Sequence, residues 1–146
     1  MDESSILPDS EEEYRDFIQQ FKDCSLPKSR WKHGAHLLVA LWYVAEHDEE
    51  ALPLVRLGIL KYNESTGVRN TETDGYHETV TVFWVRIVKA FLREEDNNRP
   101  RHELAADLIA AYLFRKNFYR EHYSFDLMTS KEARLRWVSP DLRPLP

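Results

Sequence analysis

The sequence predicts an all-α fold, a compact single-domain helical bundle of about five main helices, with a short C-terminal helix and an extended, proline-rich tail. Apolar residues recur at intervals of three and four, and no segment alternates apolar and polar residues as a half-buried strand does. A chain of 146 residues is long enough to bury one core. Neither a fixed repeat nor a shift in composition divides it. We therefore expect one helical domain over residues 1–146.

The first three helices are predicted from their start signals and their apolar faces. Ser10 and Glu13 form a capping-box pattern that begins a first, amphipathic helix. The second helix, over 30–47, is apolar on almost every face, which is typical of a buried central helix. The acidic residues 48–50 begin a third helix that runs to about Asn63. The second and third helices should form a hairpin.

The second half of the chain starts with a long loop at 64–75, rich in Thr, Asn, Asp and Gly, a length at which loops are usually functional or flexible. A fourth helix over 76–93 has a broad apolar face and should be the second core helix. A fifth helix over 100–119 completes the bundle. A second capping-box pattern, from Thr129 to Glu132, begins the short last helix, and the prolines that follow predict an extended tail on the surface.

Composition excludes several classes of partner. The net charge is −5 and no block of Lys and Arg stands out, so neither nucleic acid nor an anionic membrane is an expected partner. Cys24 is the only cysteine, which excludes an intrachain disulfide and fits a cytoplasmic protein. The first residues are acidic where a signal peptide would be basic, and the longest apolar run, 37–45, is too short to span a bilayer. A small-molecule partner is expected, and the oligomeric state stays open.

Two histidines lie at the start of the second helix. His33 and His36 are three residues apart, so their imidazoles are neighbours on one helical face and can share a metal or flank a ligand. The alternative is structural, with one imidazole hydrogen-bonded in the core and the other facing solvent. Trp31, just before them, either lines a ligand site or packs in the core.

The start of the fourth helix adds a third histidine. His77, Thr81 and Trp84 lie on one stripe, which would present an imidazole, a hydroxyl and an indole N–H to its neighbour. Glu78 is a candidate general base or fourth metal ligand, or it supports another ligand through a hydrogen bond. Its third interpretation is a favourable charge at a helix N-terminus. Tyr76 is a candidate anchor for a ligand.

The segments around these histidines also resemble those of a known protein family. The motif WxHxAHL at 31–37, the motif GYHETxT at 75–81 and the ending from Trp137 to Pro146 resemble a family of small uncharacterised bacterial helical proteins. The resemblance covers about residues 21–146. It implies a helical single domain with these polar residues as hallmarks, and it implies no activity.

Two classes of function remain as hypotheses. The favoured one is a small enzyme with a divalent transition-metal site, in which the three histidines are metal ligands and Glu78 is the catalytic residue. Zinc, iron, manganese and nickel would all suit such ligands. The other is a non-catalytic helical module that binds a small ligand or a protein partner. The ligand-binding side chains would be Trp31, Tyr76, Thr81 and Trp84.

Overall fold

The computed structural model describes residues 7–96 and 98–146, and in this part of the chain the predicted all-α fold is confirmed. The acidic start of the sequence lies outside the described residues. None of the described helices is long and apolar enough to cross a membrane. The α-helices are α1 (Glu11–Lys22), α2 (His33–His47), α3 (Ala51–Ser65), α4 (Glu78–Arg93), α5 (Arg101–Tyr112) and α6 (Lys131–Leu135). Short 3₁₀-helices cover Lys28–Arg30, Asp48–Glu50, Phe118–Glu121 and Leu127–Thr129.

Helix α1 begins at the predicted capping box. The Ser10 hydroxyl accepts a hydrogen bond from the backbone N–H of Glu13 at 3.1 Å. The Glu13 carboxylate accepts from the backbone N–H of Asp9 at 2.6 Å, one residue before the expected partner. Both bonds satisfy donors at a helix start. The apolar face of α1 packs against α3 and α5 through Tyr14, Phe17, Ile18 and Phe21.

Helix α2 is the helix around which the others pack. Ten of its fifteen residues are buried, and it contacts α3, α4 and α5. Each large aliphatic side chain that it buries contributes about 1.5–3 kcal/mol. The helix begins at His33, later than predicted, because Lys28–Arg30 forms a 3₁₀ turn after Pro27. The histidine pair therefore lies in the first turn of the central helix.

Helix α4 begins at Glu78, two residues later than predicted, because His77 is its N-cap and not a helical residue. The chain reaches this cap through Gly75, whose φ is +79°. A Cβ at Gly75 would lie 2.4 Å from the carbonyl oxygen of Arg69. Both the positive φ and this close approach require glycine here.

Helix α5 is shorter than predicted and ends at Tyr112, not near residue 119. The Tyr112 carbonyl accepts from the backbone N–H of Arg115 at 3.0 Å and from Nε2 of His33 at 3.0 Å. A continuing α-helix would use this carbonyl for the N–H four residues on. Here a side chain from α2 binds it, and the chain turns. The segment 113–130 consequently folds across the helices without α-structure.

The tail after α6 is extended and tied to the helices. The Thr79 hydroxyl donates to the carbonyl of Arg136 at 2.7 Å and accepts from the backbone N–H of Val138 at 3.0 Å. The Tyr123 hydroxyl donates to the Val138 carbonyl at 2.6 Å. The start of the tail is thus held against α4.

Candidate functional site

A cavity of about 360 Å³ lies between α2, α3 and α4, and the segment 113–130 forms its outer wall. Aliphatic and aromatic side chains make up most of its surface. Four of the residues predicted for the site line it: His33, His36, Thr81 and Trp84. The other lining residues are Ala40, Val55, Ile59, Val80, Val85, Lys116, Asn117, Tyr119 and Met128.

His36 offers a hydrogen-bond acceptor at this cavity. Its Nδ1 lies 2.7 Å from the carbonyl oxygen of Lys32, and because a carbonyl only accepts, Nδ1 carries the proton and Nε2 carries a lone pair. Burial lowers the pKa of His36 to about 4, and nearby His33 contributes to the lowering. The imidazole is therefore neutral near pH 7.

The Nε2 atom of His36 has no hydrogen-bond partner among the described residues. In the same part of the chain, no buried side-chain nitrogen or oxygen lacks a partner. This nitrogen must therefore be accessible. The Trp31 ring supports the imidazole from outside the cavity, with ring centroids 3.9 Å apart.

His33 shares the cavity with His36 but has a structural bond of its own. Its Nε2–H donates to the Tyr112 carbonyl, and its ring meets the edge of Trp84 at 4.8 Å between centroids. These contacts join α2 to α5 and α4. The bond that orients His33 is made to the last residue of α5.

His77 lies outside the cavity lining, and both of its ring nitrogens are bonded. Nε2–H donates to the Leu127 carbonyl at 2.7 Å, and Nδ1 accepts from the backbone N–H of Val80 at 3.1 Å. Burial lowers the pKa of His77, which favours the neutral form that these bonds require. In this arrangement the residue caps α4 and holds the Leu127–Thr129 turn.

Glu78 forms a cluster with Arg56 and Tyr76. The Arg56 guanidinium donates two hydrogen bonds to its carboxylate, at 2.8 Å and 2.6 Å, and the Tyr76 hydroxyl donates a third at 2.6 Å. Burial acts to raise the pKa of Glu78, but these donors outweigh it and the pKa is lowered. Burial, together with the bond to Glu78, raises the pKa of Tyr76. None of the three residues lines the cavity.

The candidate metal ligands are divided between two places. His33 and His36 line the cavity, whereas His77 bonds to Leu127 and Val80. Across residues 7–96 and 98–146, no three or more His, Cys, Asp or Glu side chains are grouped so that they could hold a metal ion. The metal site stays a prediction that would rest on His33 and His36 with ligands from outside the chain.

The sequence pattern does not predict several residues of the site. The helix predicted over 100–119 includes Lys116, Asn117 and Tyr119 without marking them as site residues, and no local pattern points to Met128. Val55 and Ile59 are apolar residues of the predicted third helix, which indicates burial but not a place at a site. Arg56, the partner of Glu78, lies between them in the sequence, and no local pattern predicts this pair.

The fold and the cavity define the class of protein: an all-α protein with a mainly apolar cavity. Family models, curated protein sequences and solved structures give no match to this chain. The resemblance to small bacterial helical proteins remains a prediction.

Proposed function

We propose that this protein is a non-catalytic binding module for a small, mainly apolar molecule. The observation that carries the proposal is the cavity between α2, α3 and α4, which is lined mostly by apolar side chains and by His36, whose Nε2 is accessible. Its volume of about 360 Å³ is at the small end of ligand pockets, which span roughly 300–1,000 Å³. Apolar burial would supply the affinity, and His36 would orient a ligand O–H or N–H.

The state of the polar groups supports binding over catalysis. A histidine whose pKa is about 4 is a weak base near neutral pH but a good hydrogen-bond acceptor. The Glu78 carboxylate, the candidate catalytic residue, accepts three hydrogen bonds from Arg56 and Tyr76. The acidic net charge and the single cysteine support a cytoplasmic small molecule as partner rather than nucleic acid.

The test is to fill the cavity. Binding of 1-octanol, whose hydroxyl can donate to His36, is measured by isothermal titration calorimetry. We expect Ala40→Phe to weaken binding at least about tenfold, because the ring takes the space of the ligand. Val80→Trp, on another wall, should do the same and serves if Ala40→Phe fails to fold. Ala45→Phe is the matched control, an exposed position on the same helix.

Two results would contradict the proposal. One is wild-type protein that does not bind the alcohol, and the other is binding that survives both filling variants. Elemental analysis of the same preparations addresses the metal hypothesis. One equivalent of metal that is lost in His36→Asn would favour the metal site over the apolar ligand.

A further inference from the structure

We infer that the ligand of this cavity is an amphiphilic acid, with an apolar body inside and a carboxylate held at the rim by Lys116 and Asn117. The inference rests on the proposed function and names its ligand class. It follows from the charge of Lys116, from the position of this side chain at the opening of the cavity, and from the lack of a carboxylate paired with it among the described residues.

The lining is cationic, although the chain as a whole is acidic. The net charge of the protein is −5, yet the cavity lining contains Lys116 and no Asp or Glu. Its two imidazoles are those of His33 and His36. A carboxylate that enters this site meets one positive charge and no like charge.

The charge of Lys116 is available to a ligand. The described residues provide no carboxylate within ion-pair distance of its ammonium group. Its neighbour Arg115 differs, because its guanidinium pairs with Glu121 at 2.8 Å. Lys116 and Asn117 are both exposed and both line the cavity, so they lie where it opens to solvent.

The apolar walls separate this rim from bulk water on one side. Val55, Ile59 and Val85 are buried on α3 and α4, and Met128 lies at the rim with 47% of its surface exposed. A hydrocarbon body against these walls would bring its acid group to the ammonium of Lys116 and the amide N–H₂ of Asn117. An ion pair at the edge of an apolar site is stronger than one on an open surface, because less solvent screens it.

The same arrangement disfavours a cationic ligand. An ammonium group at the rim would face Lys116 and find no carboxylate in the lining to offset the repulsion. A neutral alcohol would gain the apolar contacts and a neutral hydrogen bond to His36, but no ion pair with Lys116. The order of affinity should therefore be acid, then alcohol, then amine.

The experiment compares three probes with one hydrocarbon chain: octanoate, 1-octanol and octylammonium, each titrated calorimetrically near pH 7. We expect octanoate to bind about five to tenfold more tightly than 1-octanol, as a charge-assisted hydrogen bond gives, and octylammonium to bind most weakly. Lys116→Met keeps the length of the side chain and should bring octanoate to the affinity of 1-octanol. Lys28→Met, at an exposed position outside the cavity, should leave the order unchanged.

The outcomes distinguish this inference from the proposed function. If 1-octanol binds and Ala40→Phe blocks it, but octanoate is no tighter, the inference is overturned and the binding module stands. An octanoate preference that survives Lys116→Met overturns the inference in the same way. If none of the three probes binds, both are overturned.

Discussion

At the scale of single residues, three histidines differ because different ring nitrogens are bonded. His77 uses both nitrogens, one as the N-cap of α4 and one on the Leu127 carbonyl. His33 binds the last carbonyl of α5. His36 bonds through Nδ1 to its own helix and has an accessible Nε2. The role of each imidazole is thus set by what its nitrogens meet, and only His36 combines a place in the cavity with an available acceptor.

The protonation of His36 should make stability depend on pH. Its pKa is about 4 in the folded protein and about 6.5 in an unfolded chain, so between these values the unfolded state binds more protons. The free energy of unfolding should therefore fall as the pH is lowered from about 6.5 to 4, by roughly 1–2 kcal/mol after solvent screening of this partly exposed ring. Urea titrations across this range measure the fall.

The variant His36→Asn keeps an N–H donor for the Lys32 carbonyl and removes the titrating ring. We expect it to lose about half or more of the pH dependence, while the lowered pKa of His77 leaves a remainder of the same sign. His47→Asn, at an exposed position, is the matched control. A pH profile of His36→Asn that coincides with wild type would disprove the assignment.

At the scale of elements, side-chain bonds set how the helices meet. The Arg56–Glu78 pair joins α3 to the first residue of α4, where a negative charge also suits the helix N-terminus. His33 joins α2 to the end of α5. The first pair connects two helices that form walls of the cavity, and the second bond holds α2 to the end of α5, where the segment of the outer wall begins. We interpret Glu78 as a structural residue that positions α4 through its ion pair with Arg56.

A double-mutant cycle should reveal this connection. Arg56→Met and Glu78→Gln, alone and together, should give a coupling energy of about 1 kcal/mol in the free energy of unfolding, because the pair is bidentate and Glu78 is mostly buried. The Arg115–Glu121 pair, half-exposed on both sides, should give about 0.3 kcal/mol. Equal coupling energies in the two cycles would contradict the proposed structural role of the Arg56–Glu78 pair.

At the scale of the whole molecule, the C-terminal tail completes the bundle. Thr79 on α4 is fully buried and bonds both to Arg136 and to Val138, and Tyr123 bonds to Val138 from the segment that covers the cavity. The tail, α4 and the covering segment are therefore linked by hydrogen bonds. Loss of the buried Thr79 hydroxyl should therefore weaken the attachment of the tail to α4 and lower the stability of the protein.

Thr79→Val tests this linkage, because it keeps the shape of the side chain and removes both hydrogen bonds. We expect a loss of about 1–3 kcal/mol in the free energy of unfolding, since the Val138 N–H and the Arg136 carbonyl are left without a partner. Amide hydrogen exchange at Val138 should accelerate. Thr79→Ser retains the hydroxyl and should cost clearly less. If Thr79→Val and Thr79→Ser were equally stable, the tail would not depend on these bonds.

The features that the sequence predicted correctly have local causes. Helical periodicity predicted an all-α chain because an apolar face has to repeat every three to four residues. The cap at Ser10 was predictable because donor and acceptor lie three residues apart. The apolar composition of α2 predicted its central position, because a helix without a polar face has to be covered by other parts of the protein.

The remaining features join residues that are distant in the chain. The bond from His33 to Tyr112 spans 79 residues and lies at the end of α5, just before the segment that places Lys116 in the cavity wall. The bond from His77 to Leu127 spans 50 residues and makes this imidazole a cap. The sequence by itself determined the helices, because their periodicity and caps are local. Only the tertiary structure decided which imidazole is available and which side chains line the cavity, because those depend on partners brought together by packing.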